Sequence, residues 1–158
     1  MSVQPIPEGY QTLSPSIVVD NATEAIDFYK RAFGAEERLR MDGPGGTIAH
    51  AELQIGDSVL MLNDPFPQAN TKPPKEFGGT TTTLFMYVED VDAVVQQAID
   101  AGATVAQPVE NQFWGDRFGT LLDPYGHSWG IATHVEDVSP EEMAERGKAA
   151  MAEMTAIN

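Results

Sequence analysis

The chain has 158 residues, of which 42% are hydrophobic, so it can form a substantial core and wholesale disorder is excluded. It contains no cysteine, which excludes disulfides, thiolate metal sites and a cysteine nucleophile. The formal charge of −15 makes nucleic acid a poor partner; it serves solubility or attracts a cationic ligand. No apolar run reaches the roughly 20 residues of a membrane span, and residues 1–10 lack a secretory signal pattern. We therefore expect a cytoplasmic protein with no membrane partner.

The first half of the chain predicts a strand, a helix and three further strands. Asn21 and Glu24 have the spacing of a capping box ahead of apolar residues at helical intervals, and Gly34 ends that helix. Gly56 and Asp57 are typical of a tight hairpin turn. In chain order, the predicted elements are a strand at 12–20, a helix at 22–33, and strands at 35–41, 47–55 and 58–63.

The second half repeats this plan at an offset of roughly 68 to 70 residues. Asp90 caps the second helix, Gly102 ends it, and the turn at Asp123–Gly126 precedes the last strand. The strands are predicted at 82–89, 103–108, 116–122 and 128–134. We predict one domain, 1–158, with module one at about 10–64, a linker at 65–79, module two at about 80–135 and a C-terminal helix at about 139–154.

Three segments of the repeat resemble the vicinal oxygen chelate superfamily, which includes glyoxalases, bleomycin-resistance proteins, fosfomycin-resistance enzymes and extradiol dioxygenases. They are residues 25–34, 88–93 and 123–127. The resemblance implies an α+β fold of two tandem βαβββ modules that form a curved, half-open mixed-sheet barrel. It also implies a homodimer and, in many members, one divalent metal that substrate oxygens chelate inside the barrel.

Residues 48–53 and 113–119 are similar to the branch often labelled 3-demethylubiquinone methyltransferase-like or glyoxalase-like. We do not expect methyl transfer, because no nucleotide-binding glycine fingerprint follows a predicted strand.

The metal ligands of the superfamily come from the first and last strand of each module. The resemblance places Ser14, Leu60 or Met61, Thr81 and Gly130 at these positions, and none of these residues is a good ligand for a divalent metal. We therefore predict no metal and no other cofactor, with a displaced divalent metal as the alternative.

The predicted strand at 47–55 carries the strongest polar pair. Side chains alternate along a strand, so Ile48, His50, Glu52 and Gln54 are predicted to face the concave side of the sheet. His50 and Glu52 are candidate catalytic residues, and Gln54 is a candidate ligand contact. The pair could act as acid and base, hold a polar ligand, bind a displaced metal, or form a structural hydrogen bond.

The loop at 111–119 places aromatic, amide and charged groups close together, as ligand pockets do. Gln112, Trp114 and Arg117 are candidate ligand contacts, and an arginine can bind a carboxylate in bidentate fashion. The alternative is a structural Asp116–Arg117 pair beside a core tryptophan. Further candidate contacts on the cavity wall are Phe85, Tyr87 and His134.

Three functions remain open from the sequence. The first is a metal-free binder of a small molecule in a barrel or dimer cavity. The second is a glyoxalase-like lyase or isomerase, in which Glu52 is the general base, His50 its proton partner or a metal ligand, and Arg117 an anchor for substrate carboxylate. The third is a structural or regulatory dimer without a ligand cavity.

Overall fold

The computed structural model describes residues 3–157 as two strand–helix–three-strand units followed by a helix. The elements are β1 (Ser16–Val18), α1 (Ala22–Phe33), β2 (Glu36–Asp42), β3 (Ile48–Ile55), β4 (Ser58–Asn63), β5 (Thr83–Tyr87), α2 (Val91–Ala101), β6 (Thr104–Asn111), β7 (Asp116–Leu122), β8 (Ser128–His134) and α3 (Pro140–Ala156). The predicted α+β class, tandem repeat and C-terminal helix are confirmed. The first strand is shorter than predicted, and β6 is longer.

Each unit forms its own four-stranded mixed sheet, in the orders β1-β4-β3-β2 and β5-β8-β7-β6. We call them sheet one and sheet two. In each sheet the first strand runs parallel to the last, and the other pairs are antiparallel. The curved arrangement stays open and does not close into a barrel. None of the helices among residues 3–157 combines the length and apolarity that a bilayer crossing requires.

The helices begin and end as the sequence predicts. The Asn21 side chain accepts a hydrogen bond from the backbone of Glu24 at 3.2 Å, and Gly34 ends α1 in the left-handed conformation with φ 65°. Asp90 caps α2 by accepting from the backbone of Ala93 at 3.0 Å. Both helices then bury an apolar face against the backs of the sheets, because their apolar residues recur at helical spacing.

The two units share one buried core, and Asp123 is a polar link within it. This carboxylate is only 4% exposed, and it accepts from the Tyr29 hydroxyl of α1 at 2.6 Å and from Trp129 Nε1 at 2.9 Å. It also accepts from the backbone of Tyr125 and His127, both at 2.9 Å. Burial, together with the charge of Asp123, raises the pKa of Tyr29 well above its usual value. The turn at Asp123 therefore fixes module two to the helix of module one.

The open face of each sheet, away from the helices, leaves large apolar side chains exposed. They are Leu39 (43%) and Met41 (55%) on sheet one, with Phe85 (50%) and Tyr87 (63%) on sheet two. A bulge in β3 pairs Met41 with His50 but Asp42 with Ile48, so the side-chain alternation breaks there. Ile48 consequently lies in the core at 1% exposure, and its predicted place beside His50 is wrong.

The helix α3 begins at a Ser139 cap with Pro140 in its first turn, as predicted. None of its residues is buried, and it touches the body of the protein beside Phe113. Arg146 holds this contact by donating to the Phe113 carbonyl at 3.5 Å and to the Glu136 carboxylate.

Candidate functional site

The residues on the first and last strands of each unit, from which the superfamily draws metal ligands, are poor ligands here. Ser16, not Ser14, pairs with Met61, and Phe85, not Thr81, pairs with Gly130. A hydroxyl, a thioether, a phenyl ring and a glycine do not fit a divalent metal. Across residues 3–157, no group of three or more His, Asp or Glu side chains is arranged to hold a metal ion.

Glu52 is the centre of a polar cluster on the open face of sheet one. The residue is 5% exposed, and His50 Nε2 lies 3.0 Å from its Oε1. The Tyr10 hydroxyl donates to the other carboxylate oxygen. Burial alone would raise the pKa of Glu52, but the hydrogen bonds from His50 and Tyr10 outweigh it and leave that pKa below its usual value. Glu52 is therefore a charged acceptor with two donors.

Tyr10 reaches Glu52 from the irregular segment that precedes β1, and the sequence analysis missed it. Arg38 holds this tyrosine in place: its guanidinium lies 4.7 Å from the centre of the Tyr10 ring and donates to the Gly9 carbonyl at 3.1 Å. Arg38 also donates to Gln54 Oε1 at 3.3 Å, so the predicted contact residue Gln54 is part of the same network. No local pattern could have identified Tyr10, because 42 residues separate it from Glu52.

The cluster assigns a tautomer to His50. A charged Glu52 can only accept, so Nε2 of His50 carries a proton. The His50 side chain is 34% exposed, whereas that of Glu52 is 7% exposed. The imidazole is thus the more accessible of the two groups, and the carboxylate is the more buried.

Four aromatic side chains cover the open face of sheet two, and we call them the aromatic wall: Phe85, Tyr87, Trp114 and Phe118. The Phe85 and Phe118 rings are stacked with their centres 5.5 Å apart and their planes at 14°. Tyr87 adjoins Phe85 at 5.2 Å, and Trp114 adjoins Phe118 at 6.0 Å. The candidates Phe85, Tyr87 and Trp114 thus lie together, whereas Phe118 was missed as a site residue.

Asp116 ties the two ends of the aromatic wall together. It is 3% exposed, and its Oδ2 accepts from the Tyr87 hydroxyl at 2.9 Å and from Trp114 Nε1 at 3.0 Å. Its Oδ1 lies 2.8 Å from Nδ1 of His134. Burial would raise the pKa of Asp116, but the bonds from His134, Tyr87 and Trp114 lower it below its usual value. The predicted alternative of an Asp116–Arg117 pair is wrong.

Gly130 makes room for the aromatic wall. A Cβ there would lie 2.8 Å from Cδ2 of Phe85 and 3.1 Å from Cε2 of Phe118. The register also aligns the two modules: Glu52 pairs with Met61 as Thr120 pairs with Gly130. His50 thus corresponds to Phe118, and Glu52 corresponds to Thr120. Module two therefore carries a phenyl ring in place of the imidazole and a threonine in place of the carboxylate.

The remaining candidates lie around these two groups. Arg117 points to the helix side, where it forms a bidentate pair with Asp92 at 2.7 and 2.8 Å, because alternate residues of β7 face opposite sides. It therefore lies away from Asp116 and the wall. Gln112 donates to the Glu110 carbonyl at 3.5 Å beside the wall. His134 is connected to the wall through its contact with Asp116, on the side of the sheet where it was predicted.

A cleft between the two units has a volume of about 830 Å³. It runs from the β3–β4 turn to the unpaired edge of β5, and its lining is mainly apolar, with Phe33, Leu60, Leu84 and Trp129 among its residues. Phe85 and Tyr87 contribute to its rim, so the cleft adjoins the aromatic wall. His50 and Glu52 do not line it, and the polar cluster of sheet one is a separate site.

Comparison with known proteins agrees with this architecture. The family model of the Glyoxalase/Bleomycin resistance protein/Dioxygenase superfamily matches residues 11–131. The chain belongs to this superfamily. An uncharacterized protein of Mycobacterium tuberculosis is 46% identical to it over 134 residues, which cover 83% of this chain and 79% of the relative.

Two solved structures show how the superfamily fold varies in sequence. TioX from Micromonospora is 27% identical, with a TM-score of 0.64 over 79% of this chain and 99% of its own. The fosfomycin resistance protein FosX from Listeria monocytogenes, complexed with Mn(II) and sulfate, is 14% identical, with a TM-score of 0.60 over 84% of this chain and 95% of its own. The second likeness is one of fold alone.

Proposed function

We propose that this superfamily member binds a small, largely apolar molecule in the cleft between its two units, without the usual metal. The single observation that supports this most is the 830 Å³ cleft, whose size and apolar lining match those of small-molecule sites. Aromatic side chains at its rim add contact area at low entropic cost. The four ligand positions of the superfamily support the metal-free part of the proposal, since their side chains are poor donors.

A matched pair of variants on α2 tests the cleft. Gln97 lines it and the adjacent Gln96 does not, although both are exposed. Hits from a small-molecule screen are titrated by calorimetry into both Gln→Phe variants. We expect Gln97→Phe to weaken binding at least fivefold and Gln96→Phe to leave it unchanged. Equal affinities in the two variants, or a screen without any saturable binder, would contradict the proposal.

The cluster of sheet one supports a second candidate, a glyoxalase-like lyase or isomerase. Its basis is the chain of hydrogen bonds from Tyr10 and His50 to the buried Glu52. In this reaction His50 would accept a proton from carbon next to a carbonyl, while Glu52 holds its tautomer. Glu52→Gln would then lower kcat about 100-fold or more, within the usual range for general base catalysis. Unchanged turnover of every accepted substrate would exclude this function.

We also propose that the protein is a cytoplasmic homodimer. Leu39 and Met41 are exposed on the open face of sheet one, where a second copy could cover them. Sedimentation at several concentrations should give a dimer, and Met41→Glu should shift it toward the monomer. Monomers at every concentration would contradict this assembly, and cell fractionation tests the location.

A further inference from the structure

We propose that the aromatic wall binds a small organic cation, with quaternary or delocalised charge, such as an N-alkylated heteroaromatic ring. The inference rests on the proposed function, because Phe85 and Tyr87 belong to both the cleft and the wall. It specifies the chemical class of the ligand and extends the binding site from the cleft to the aromatic wall.

The geometry of the wall suits a cation. Its four rings adjoin one another at centre distances of 5.2 to 6.0 Å and present a continuous aromatic surface. Aromatic faces carry negative electrostatic potential, and clusters of them recognise quaternary ammonium groups. Phe85 and Tyr87 are 50% and 63% exposed, so a ligand can reach them without displacing the core.

The buried carboxylate of Asp116 places a negative charge next to the rings of the wall. Tyr87 and Trp114 both donate to the same oxygen, which fixes the two rings and increases their electron density. The carboxylate itself is 3% exposed, so water screens its field poorly. An apolar neutral ligand would gain nothing from this charge, whereas a cation stacked on the rings is attracted by it.

The surrounding charges also favour a cation. Arg117 follows Asp116 in the chain, but its guanidinium is turned to the helix side and paired with Asp92. The formal charge of the whole chain is −15, which draws cations toward its surface. From composition alone, this negative charge either serves solubility or attracts a cationic ligand. The aromatic wall is a specific site at which it can attract one.

His134 makes the binding depend on pH. It lies between Asp137, 2.9 Å from Nε2, and Asp116, 2.8 Å from Nδ1, and its pKa is raised first by the bond to Asp137 and then by that to Asp116. The other titratable group on Asp116 is Tyr87, whose pKa is raised by the same carboxylate, so it stays neutral. Below the pKa of His134 the imidazolium neutralises Asp116; cation affinity should therefore rise as pH increases through that pKa.

The test uses N-methylquinolinium and its neutral counterpart quinoline at pH 8, titrated into the full chain. The two tryptophans serve as reporters in ¹⁵N spectra, because Trp114 is in the wall and Trp129 lines the cleft. We expect the cation to bind at least tenfold more tightly than quinoline and to shift the Trp114 indole. Asp116→Asn should remove most of this preference, and the control Asp100→Asn, which removes an exposed carboxylate of α2, should keep it.

A second variant covers the case in which Asp116→Asn does not fold. Tyr87→Leu removes one ring from an exposed position and should weaken cation binding at least fivefold. Equal affinity for quinoline would overturn the cation inference and leave the proposed binder intact, with Trp129 as its reporter. If neither probe binds and the Trp114 signal shifts only when the protein dimerises, the cation inference is overturned, and the wall is an interface with a second copy of the chain.

Discussion

Gly130→Ala tests whether the aromatic wall depends on an absent side chain. The new Cβ would lie 2.8 Å from Phe85, 3.1 Å from Phe118 and 3.3 Å from Cγ2 of Thr83, closer than ordinary van der Waals contact. All three neighbours are side-chain atoms, and Phe85 is 50% exposed, so its ring can turn outward. We therefore expect a loss of about 1 kcal/mol in the free energy of unfolding, at the lower end of the range for overpacking.

A double-mutant cycle with Phe85→Ala isolates this collision. In urea unfolding, Gly130→Ala should cost clearly less in the Phe85→Ala background than in the wild type, because its closest neighbour is gone. Gly119→Ala is the matched control. Its Cβ would meet backbone atoms of Gln107 and Val109 at 3.1 and 3.2 Å, so its cost should be larger and independent of Phe85. An equal cost of Gly130→Ala in both backgrounds would show that contact with Phe85 is not the source of the destabilisation.

Three further predictions concern stability. Asp123→Ala leaves two side-chain donors and two backbone donors without their partner and should cost about 3 kcal/mol or more in urea unfolding. A loss below about 1 kcal/mol would contradict the role of Asp123 as a link between the units. Gly115→Ala places a Cβ 2.1 Å from the Glu136 carbonyl oxygen, whereas the Cβ of Gly34→Ala has no neighbour within 4 Å. Both glycines have a positive φ, so the backbone strain is common to the two variants. Thermal unfolding should therefore show a larger loss of stability for Gly115→Ala. Hydrogen bonds from Arg40 and Lys30 lower the pKa of Glu37 to about 2. The charged Glu37 therefore stabilises the fold at neutral pH, and this stabilisation is lost as the pH falls from the usual glutamate pKa to about 2. Glu37→Gln should make the free energy of unfolding depend less on pH in this range.

Much of the fold was predictable because local signals and the repeat agree. Asn21 and Asp90 cap helices by bonds to residues three positions on, and Gly34 adopts a conformation that side chains disfavour. Such rules act over a few residues and can be read from the sequence. The bulge that turns Ile48 into the core was not predictable, because it arises from the pairing of β3 with β2.

The site was predictable only in part. Alternation along β3 placed His50 and Glu52 on one face, and the composition of the loop indicated Trp114. Tyr10 was missed because it meets Glu52 through a contact between distant parts of the chain. Gly130 was predicted only as a poor ligand position, whereas the structure shows that aromatic rings from β5 and β7 pack against it. To predict that a ring from one strand packs beside a glycine of another, the pairing register of the strands must be known. The sequence leaves that register uncertain by a residue or two.

The most direct test of the central claim, a small molecule bound at the cleft and the aromatic wall, is a map of backbone and indole ¹⁵N shifts during titration with a screened ligand. We predict saturable shifts at Trp114, Trp129 and β5, with little change around His50 and Glu52. Shifts concentrated at Tyr10, His50 and Glu52 would contradict it and place the ligand on sheet one.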